Sequence, residues 1–177
     1  MNSTETVSPT LQDAFKDVMA CVATPVSIVT AVPGDGGPPC GATVSAFASL
    51  SVAPAMVLVS LDRRSRTLEV IRQTGRFGLN VLGADQDDLA MSFASKGGID
   101  KFYGTSWTTE QGLPRISRAA AWLASTVADF VDGGDHVIVL GRVDAAEAAV
   151  TRAPLVYHRR SFGTHRPHRD PAPGVPA

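Results

Sequence analysis

Trp122-Leu-Ala-Ser-Thr-Val-Ala-Asp-Phe-Val131 and His136-Val-Ile-Val-Leu-Gly-Arg-Val143 read as two long strands joined by Asp132-Gly-Gly-Asp135. Both are rich in β-branched residues, and the glycine pair between them marks the turn. Working outward, Leu155-Val-Tyr-His158 reads as a last strand. Upstream, Pro25-Val-Ser-Ile-Val-Thr-Ala-Val32 stops at Pro33-Gly-Asp-Gly-Gly-Pro-Pro39 and resumes at Cys40, the pattern of a hairpin with a long tip. Further strands are predicted near 48–52, 55–61 and 76–82. The helical patterns are a first one from Pro9 or Thr10 to about Ala23, a second over Thr67–Thr74 stopped by Gly75, and a third over Asp85–Ser95. In the first, Leu11, Phe15, Val18, Met19 and Val22 share one apolar face, which predicts a helix laid over the core. From Lys96-Gly-Gly98 to about Pro114 the chain reads as irregular. So many strands, with few helices and no regular alternation, argue against a doubly wound sheet and for a mainly β antiparallel barrel.

A chain of 177 residues can bury roughly 70% of its unfolded surface around one core. With 44% hydrophobic and 19% charged residues and a net charge of −1, it reads as globular, and no nucleic-acid partner is expected. Residues 1–9 read as a flexible N-terminus, 10–163 as the domain and 164–177 as a disordered Pro/Arg/His tail. Cys21 and Cys40 are too far apart for a redox Cys-x-x-Cys, and both read as small core or strand residues. The tail histidines match no metal-ligand spacing, so no metal is expected. No apolar run reaches membrane-spanning length and the first residues lack a signal-peptide pattern, so a cytoplasmic protein with no membrane partner is expected.

Neither Gly-x-Gly-x-x-Gly after a strand nor Gly-x-x-x-x-Gly-Lys-Ser/Thr occurs, so a nucleotide must bind in some other way. In Gly41-Ala-Thr-Val-Ser-Ala-Phe47, Thr43 and Ser45 stand two apart on a strand pattern, and a flat ring could lie against that face. Ser60-Leu-Asp-Arg-Arg-Ser-Arg-Thr67 runs from a strand through three arginines into a helix. Ser65 and Thr67, with Arg63, Arg64 or Arg66, could hold a phosphate at that helix N-terminus, although a serine there is ordinarily only a cap. Asn80 could offer its amide to a ring. Lys96 and Lys101 stand beside a helix end in a chain whose other basic residues are almost all arginine. His136 opens a strand after Gly134-Asp135, where a side chain can face a cleft.

Taken in order, Thr43-Val-Ser-Ala-Phe47, Ser60-Leu-Asp62, Ser65-x-Thr67, Phe77-x-Leu-Asn-Val-Leu82, Leu89-Ala-x-x-Phe93-Ala94, Asp100-Lys-Phe102, Gly134-Asp-His136 and Pro154-Leu-Val-Tyr157 resemble the flavin-reductase-like family over about residues 12–162. The members are short NAD(P)H:flavin oxidoreductases that serve two-component monooxygenases. The resemblance implies an FMN-binding split β-barrel, a Greek-key antiparallel barrel with a few peripheral helices, assembled as a homodimer. It implies FMN or FAD as the flavin, NADH or NADPH as the hydride donor, and a flavin-dependent monooxygenase that receives reduced flavin by diffusion. It also implies that Thr43, Val44, Ser45, Ala46, Ser60, Leu61 and Asp62 line the ring and ribityl chain, with Ser65 and Thr67 at the phosphate. Asn80, Val81 and Leu82 would flank the ring, and Phe93, Ala94, Ser95 and Lys101 would complete the phosphate end. His136 would be the catalytic-site residue beside the nicotinamide, with Tyr157 and Arg159 as further nicotinamide contacts. A split-barrel oxidase or oxygenase with tightly held FMN, or a non-enzymatic flavin-binding module, would use the same barrel.

Overall fold

Along the chain, α1 (Pro9–Ala20) and the short β1 (Thr24–Pro25) precede β2 (Ser27–Ala31), β3 (Cys40–Val44), β4 (Phe47–Val52) and β5 (Ala55–Asp62). Helix α2 (Arg66–Thr74), strand β6 (Arg76–Val81) and helix α3 (Asp87–Ala94) come next, then a 3₁₀ turn at Ile99–Phe102. β7 (Trp107–Glu110) and β8 (Leu113–Ile116) form a small hairpin, and β9 (Ala121–Gly133) and β10 (His136–Ala148) a long one. β11 (Leu155–His158) and β12 (Ser161–Thr164) complete the set. The computed structural model describes residues 9–95 and 99–168, so the expected flexible N-terminus and disordered tail fall for the most part outside the described residues.

Seven strands make one antiparallel sheet in the order β3-β2-β6-β9-β10-β5-β4. Its two edges, β3 and β4, are neighbours in sequence, joined only by Ser45-Ala46. A flat sheet of this width would hold its edges roughly 29 Å apart, whereas the chain from Val44 to Phe47 reaches at most about 11 Å. The sheet therefore curls until its edges nearly meet. Because β3 and β4 share no ladder, the result is a split barrel, mainly β as the strand patterns predict.

Strand alternation fills the interior. Val57, Val59 and Leu61 of β5 and Val137 and Val139 of β10 point inward beside Val29, Phe77 and Leu79. Helix α2 closes one end of this core with Leu68, Val70 and Ile71. Ser65 caps its N-terminus by accepting from the Leu68 N–H, and Gly75, at φ 68°, ends it by donating to the Ile71 carbonyl. A second cluster, Ile28, Leu82, Ala90, Phe93, Phe102 and Leu155 among it, lies on the other face of β2, which is why that strand is buried on both sides.

Three sequence expectations change. Helix α1 does not cover the core: Leu11, Phe15 and Val18 are 61%, 63% and 65% exposed, because the helix is held by polar contacts instead. The Arg159 N–H donates to the Ala20 carbonyl and Arg160 pairs with Asp17 at 2.9 Å. Cys21, just beyond α1, is exposed, and only Cys40 is a buried strand residue. The segment expected to be irregular contains the β7–β8 hairpin, which turns at Gln111-Gly112 with both residues at positive φ. Phe102 and Trp107 pack edge to face there, leaving Tyr103 alone of the three aromatics fully outside.

Candidate functional site

A cleft of about 630 Å³ runs beside the split. One wall is β3 from Cys40 to Val44 with the Ser45-Ala46 link, and another is the end of β5, Ser60 to Asp62. Arg64 to Thr67 at the start of α2, Phe93 to Ser95 at the end of α3, Lys101 and His136 complete it. The size is that of an ordinary small-molecule site, about 300–1,000 Å³.

Local structure explains each placement. The Ser60 N–H donates to the Ala46 carbonyl at 2.9 Å, tying the link between the sheet edges to the strand beyond it. Thr43 donates to the Ala90 carbonyl at 2.6 Å, docking α3 onto β3. Position 41 must be glycine, since an added Cβ would lie 2.9 Å from the Phe93 ring. Phe93 in turn meets Phe102 edge to face at 5.0 Å, and this anchors the 3₁₀ turn so that the Lys101 Nζ donates to the Phe93 carbonyl at 2.9 Å. His136 is carried by β10, directly opposite Asp62 of β5. The turn before it, with Gly134 at φ 70°, is clamped by Arg63. The Arg63 backbone N–H donates to the Asp135 carbonyl, its Nε to the Gly134 carbonyl, and its guanidinium pairs with Asp132 at 2.8 Å.

The charges divide the cleft. Arg64 donates its guanidinium and its backbone N–H to Asp62, and these bonds bring the Asp62 carboxyl down to about 2, so it is an anion at any working pH. Burial pushes the Cys40 thiol up, against the opposing pull of a hydrogen bond with Thr67 and of Arg66. Burial likewise lowers Lys101. A hydrogen bond with His136, at 2.8 Å from Nδ1, lowers Asp135. One end of the cleft thus presents Arg66, Lys101 and the N-terminal N–H groups of α2 beside the Arg64–Asp62 pair, a set suited to phosphate. The strand walls beyond it set Ala42, Val44, Ala46 and Leu61 beside the hydroxyls of Thr43, Ser45 and Ser60, small side chains that suit a flat ring.

Of the residues singled out in the sequence, Thr43, Val44, Ser45, Ala46, Ser60, Leu61, Asp62, Ser65, Thr67, Phe93, Ala94, Ser95, Lys101 and His136 come together in this one cleft. Lys96 lies outside the described residues. Asn80, Val81 and Leu82 do not line it. The buried Asn80 amide is consumed by the fold, accepting from the Ile116 N–H at 2.7 Å and donating toward the Ile28 and Pro114 carbonyls and Thr30. Leu82 belongs to the second core cluster. Tyr157 and Arg159 also lie apart, Tyr157 on the β1–β11–β12 sheet, packed on Phe162, and Arg159 at the turn between β11 and β12. Cys40 and Ala42 line the cleft without having been singled out, though both sit on the strand that was. Among the described residues, no group of three or more His, Cys, Asp and Glu could hold a metal ion, and no helix is long and apolar enough to cross a membrane.

Comparison with known proteins places this architecture. The chain is 41% identical over 88% of its length, and 82% of the relative's, to the reductase component of a 4-nitrophenol 4-monooxygenase/4-nitrocatechol 2-monooxygenase from Rhodococcus opacus. A crystal structure of a nitrilotriacetate monooxygenase component B homologue from Mycobacterium thermoresistibile superposes with a TM-score of 0.85 at 34% identity, covering 92% of both chains. An NADH:FAD oxidoreductase from Streptomyces globisporus, solved with NAD and FAD fragments, gives 0.85 at 28% identity over 94% of this chain and all of the other. Residues 19–166 match the model of the flavin reductase like domain, and the chain belongs to that family.

Proposed function

We propose that the protein is an NAD(P)H-dependent flavin reductase. The observation that carries this reading is the cleft beside the split, walled by small strand residues and cationic at the α2 end, with His136 in its lining. Thr43 to Ala46 and Ser60 to Asp62 would hold the ring and ribityl chain, and Ser65, Thr67, Arg66 and Lys101 would take the phosphate. The bound pair supplies the chemistry: a hydride passes from NADH or NADPH to FMN or FAD with uptake of a proton, giving NAD(P)⁺ and reduced flavin. The chain has no proton to move at that moment. Its residues set the two rings in contact and exclude water, and His136 positions the nicotinamide. His136→Ala therefore slows reduction without abolishing it.

Reduced flavin then leaves for a flavin-dependent monooxygenase, which requires moderate affinity, near a micromolar Kd or about −8 kcal/mol. The enzyme acts as a cytoplasmic homodimer. The exposed apolar stripe of α1, with Tyr103 at 93% exposure, supports that assembly. Mixing protein, NADH or NADPH, and FMN or FAD under nitrogen bleaches the flavin, and absence of bleaching in every combination removes the reductase reading. Gel filtration of flavin-loaded protein strips the yellow colour, whereas stoichiometric retention through turnover points to a flavin-retaining oxidase.

A further inference from the structure

We propose that a second recess, on the outer face of α2, takes the adenosine 5′-phosphate part of a dinucleotide and makes FAD a better substrate than FMN. The inference rests on the flavin reading of the neighbouring cleft. The recess, about 390 Å³, is lined by Arg63, Arg64, Ser65, Glu69, Arg72 and Gln73. Arg64 and Ser65 line both cavities, so the recess adjoins the start of α2, where the flavin phosphate is proposed to sit.

The chemistry of the recess matches the adenylate that a dinucleotide carries beyond its flavin phosphate. Ser65, Glu69, Arg72 and Gln73 succeed one another at helical spacings of four, three and one, on the face of α2 opposite its buried Leu68 and Ile71. Arg63 is committed to Asp132 and Arg64 to Asp62, but among the described residues Arg72 has no carboxylate within ion-pair distance. Its guanidinium lies over the Phe130 ring, 5.8 Å from the centroid. A guanidinium on an aromatic ring offers a flat cationic surface that can pair with a second phosphate or stack on a purine. Glu69 brings a carboxylate of the kind that accepts from ribose hydroxyls, and Gln73 an amide that can both donate and accept at a base edge.

Adenosine 5′-phosphate occurs in FAD and in NAD(P)H alike, and the shared Ser65 at the phosphate end favours FAD. Dissociation constants for FAD, FMN and 5′-AMP are measured by titration, without turnover, for the wild type, Arg72→Glu and Arg72→Lys, with thermal melts to verify folding. FAD binds the wild type about tenfold tighter than FMN. Arg72→Glu removes that preference and the binding of 5′-AMP while leaving FMN unchanged, and Arg72→Lys retains part of both. A raised KM for NADH with FMN as acceptor, at an unchanged FAD-to-FMN ratio, would assign the recess to the nicotinamide dinucleotide and overturn the FAD preference. No 5′-AMP binding to the wild type, or no change in any of these quantities on Arg72→Glu, overturns the recess itself. Absence of reductase activity in the wild type would instead count against the reductase reading and leave the recess standing, because the 5′-AMP titration does not depend on turnover.

Discussion

Helices α1 and α2 both carry apolar residues at helical spacing, yet α2 buries Leu68, Val70 and Ile71 while α1 leaves Leu11, Phe15 and Val18 in the open. The difference lies in what surrounds each helix. α2 sits between β5 and β6, capped at both ends, so the connections at either side press it onto the end of the barrel. α1 precedes the sheet and is tied to the far end of the fold by Arg159 and Arg160. An apolar stripe shows that a face is to be covered, and only topology shows whether this chain or another surface covers it.

The contrast can be tested at four points. Ile71, fully buried under α2, is the most sensitive: Ile71→Ala costs about 2–5 kcal/mol by the usual cavity cost, read from urea unfolding. At the N-terminus of the same helix, Ser65→Ala with Thr67→Ala weakens FMN binding by about 1–3 kcal/mol while riboflavin is nearly unaffected. An equal loss for both ligands places the phosphate elsewhere. On α1, Phe15→Asp changes protomer stability by less than about 0.5 kcal/mol but turns the sedimenting species into a monomer. A persisting dimer shows that the stripe is not the contact.

The 3₁₀ turn is an intermediate case, buried through Phe102 so that Lys101 arrives partly desolvated. A lysine lowered by burial loses its charge at a lower pH than the usual 10.5. Since the charged form attracts phosphate, the preference for FMN over riboflavin shrinks as pH rises in the alkaline range below that value. In Lys101→Arg it stays constant, as paired titrations of the two ligands will show.

The long hairpin was legible because Trp122–Val131 and His136–Val143 carry strong strand patterns around a glycine turn. It extends further, to Ala121–Gly133 and Ala148, through register shifts near Gly141 and Val143 that alternation alone does not mark. The cleft was legible where hydroxyls and arginines cluster at the end of β5, and at Lys101. Asn80 was not, because a strand-end amide aimed at a ligand and one bridging three backbone segments look alike in sequence. Its partners Pro114 and Ile116 lie in β8, within or just beyond a stretch that read as irregular. The β7–β8 hairpin was missed because its strands are four residues each and its turn, Gln111-Gly112, carries only one glycine. The recess on α2 was invisible for a related reason: Glu69, Arg72 and Gln73 are what any solvent-facing helix displays.

The Ser45-Ala46 link has a thermodynamic consequence. Because those two residues must bridge the edges of a seven-stranded sheet, the curl of the sheet and the wall of the cleft persist or vanish together. A compound that binds there therefore acts on the global unfolding equilibrium. At a hundred times its dissociation constant, flavin adds about 2.7 kcal/mol to the stability of the whole chain. The melting temperature of this protein then reports the free flavin concentration around it, and a scarcity of substrate is felt as a loss of enzyme.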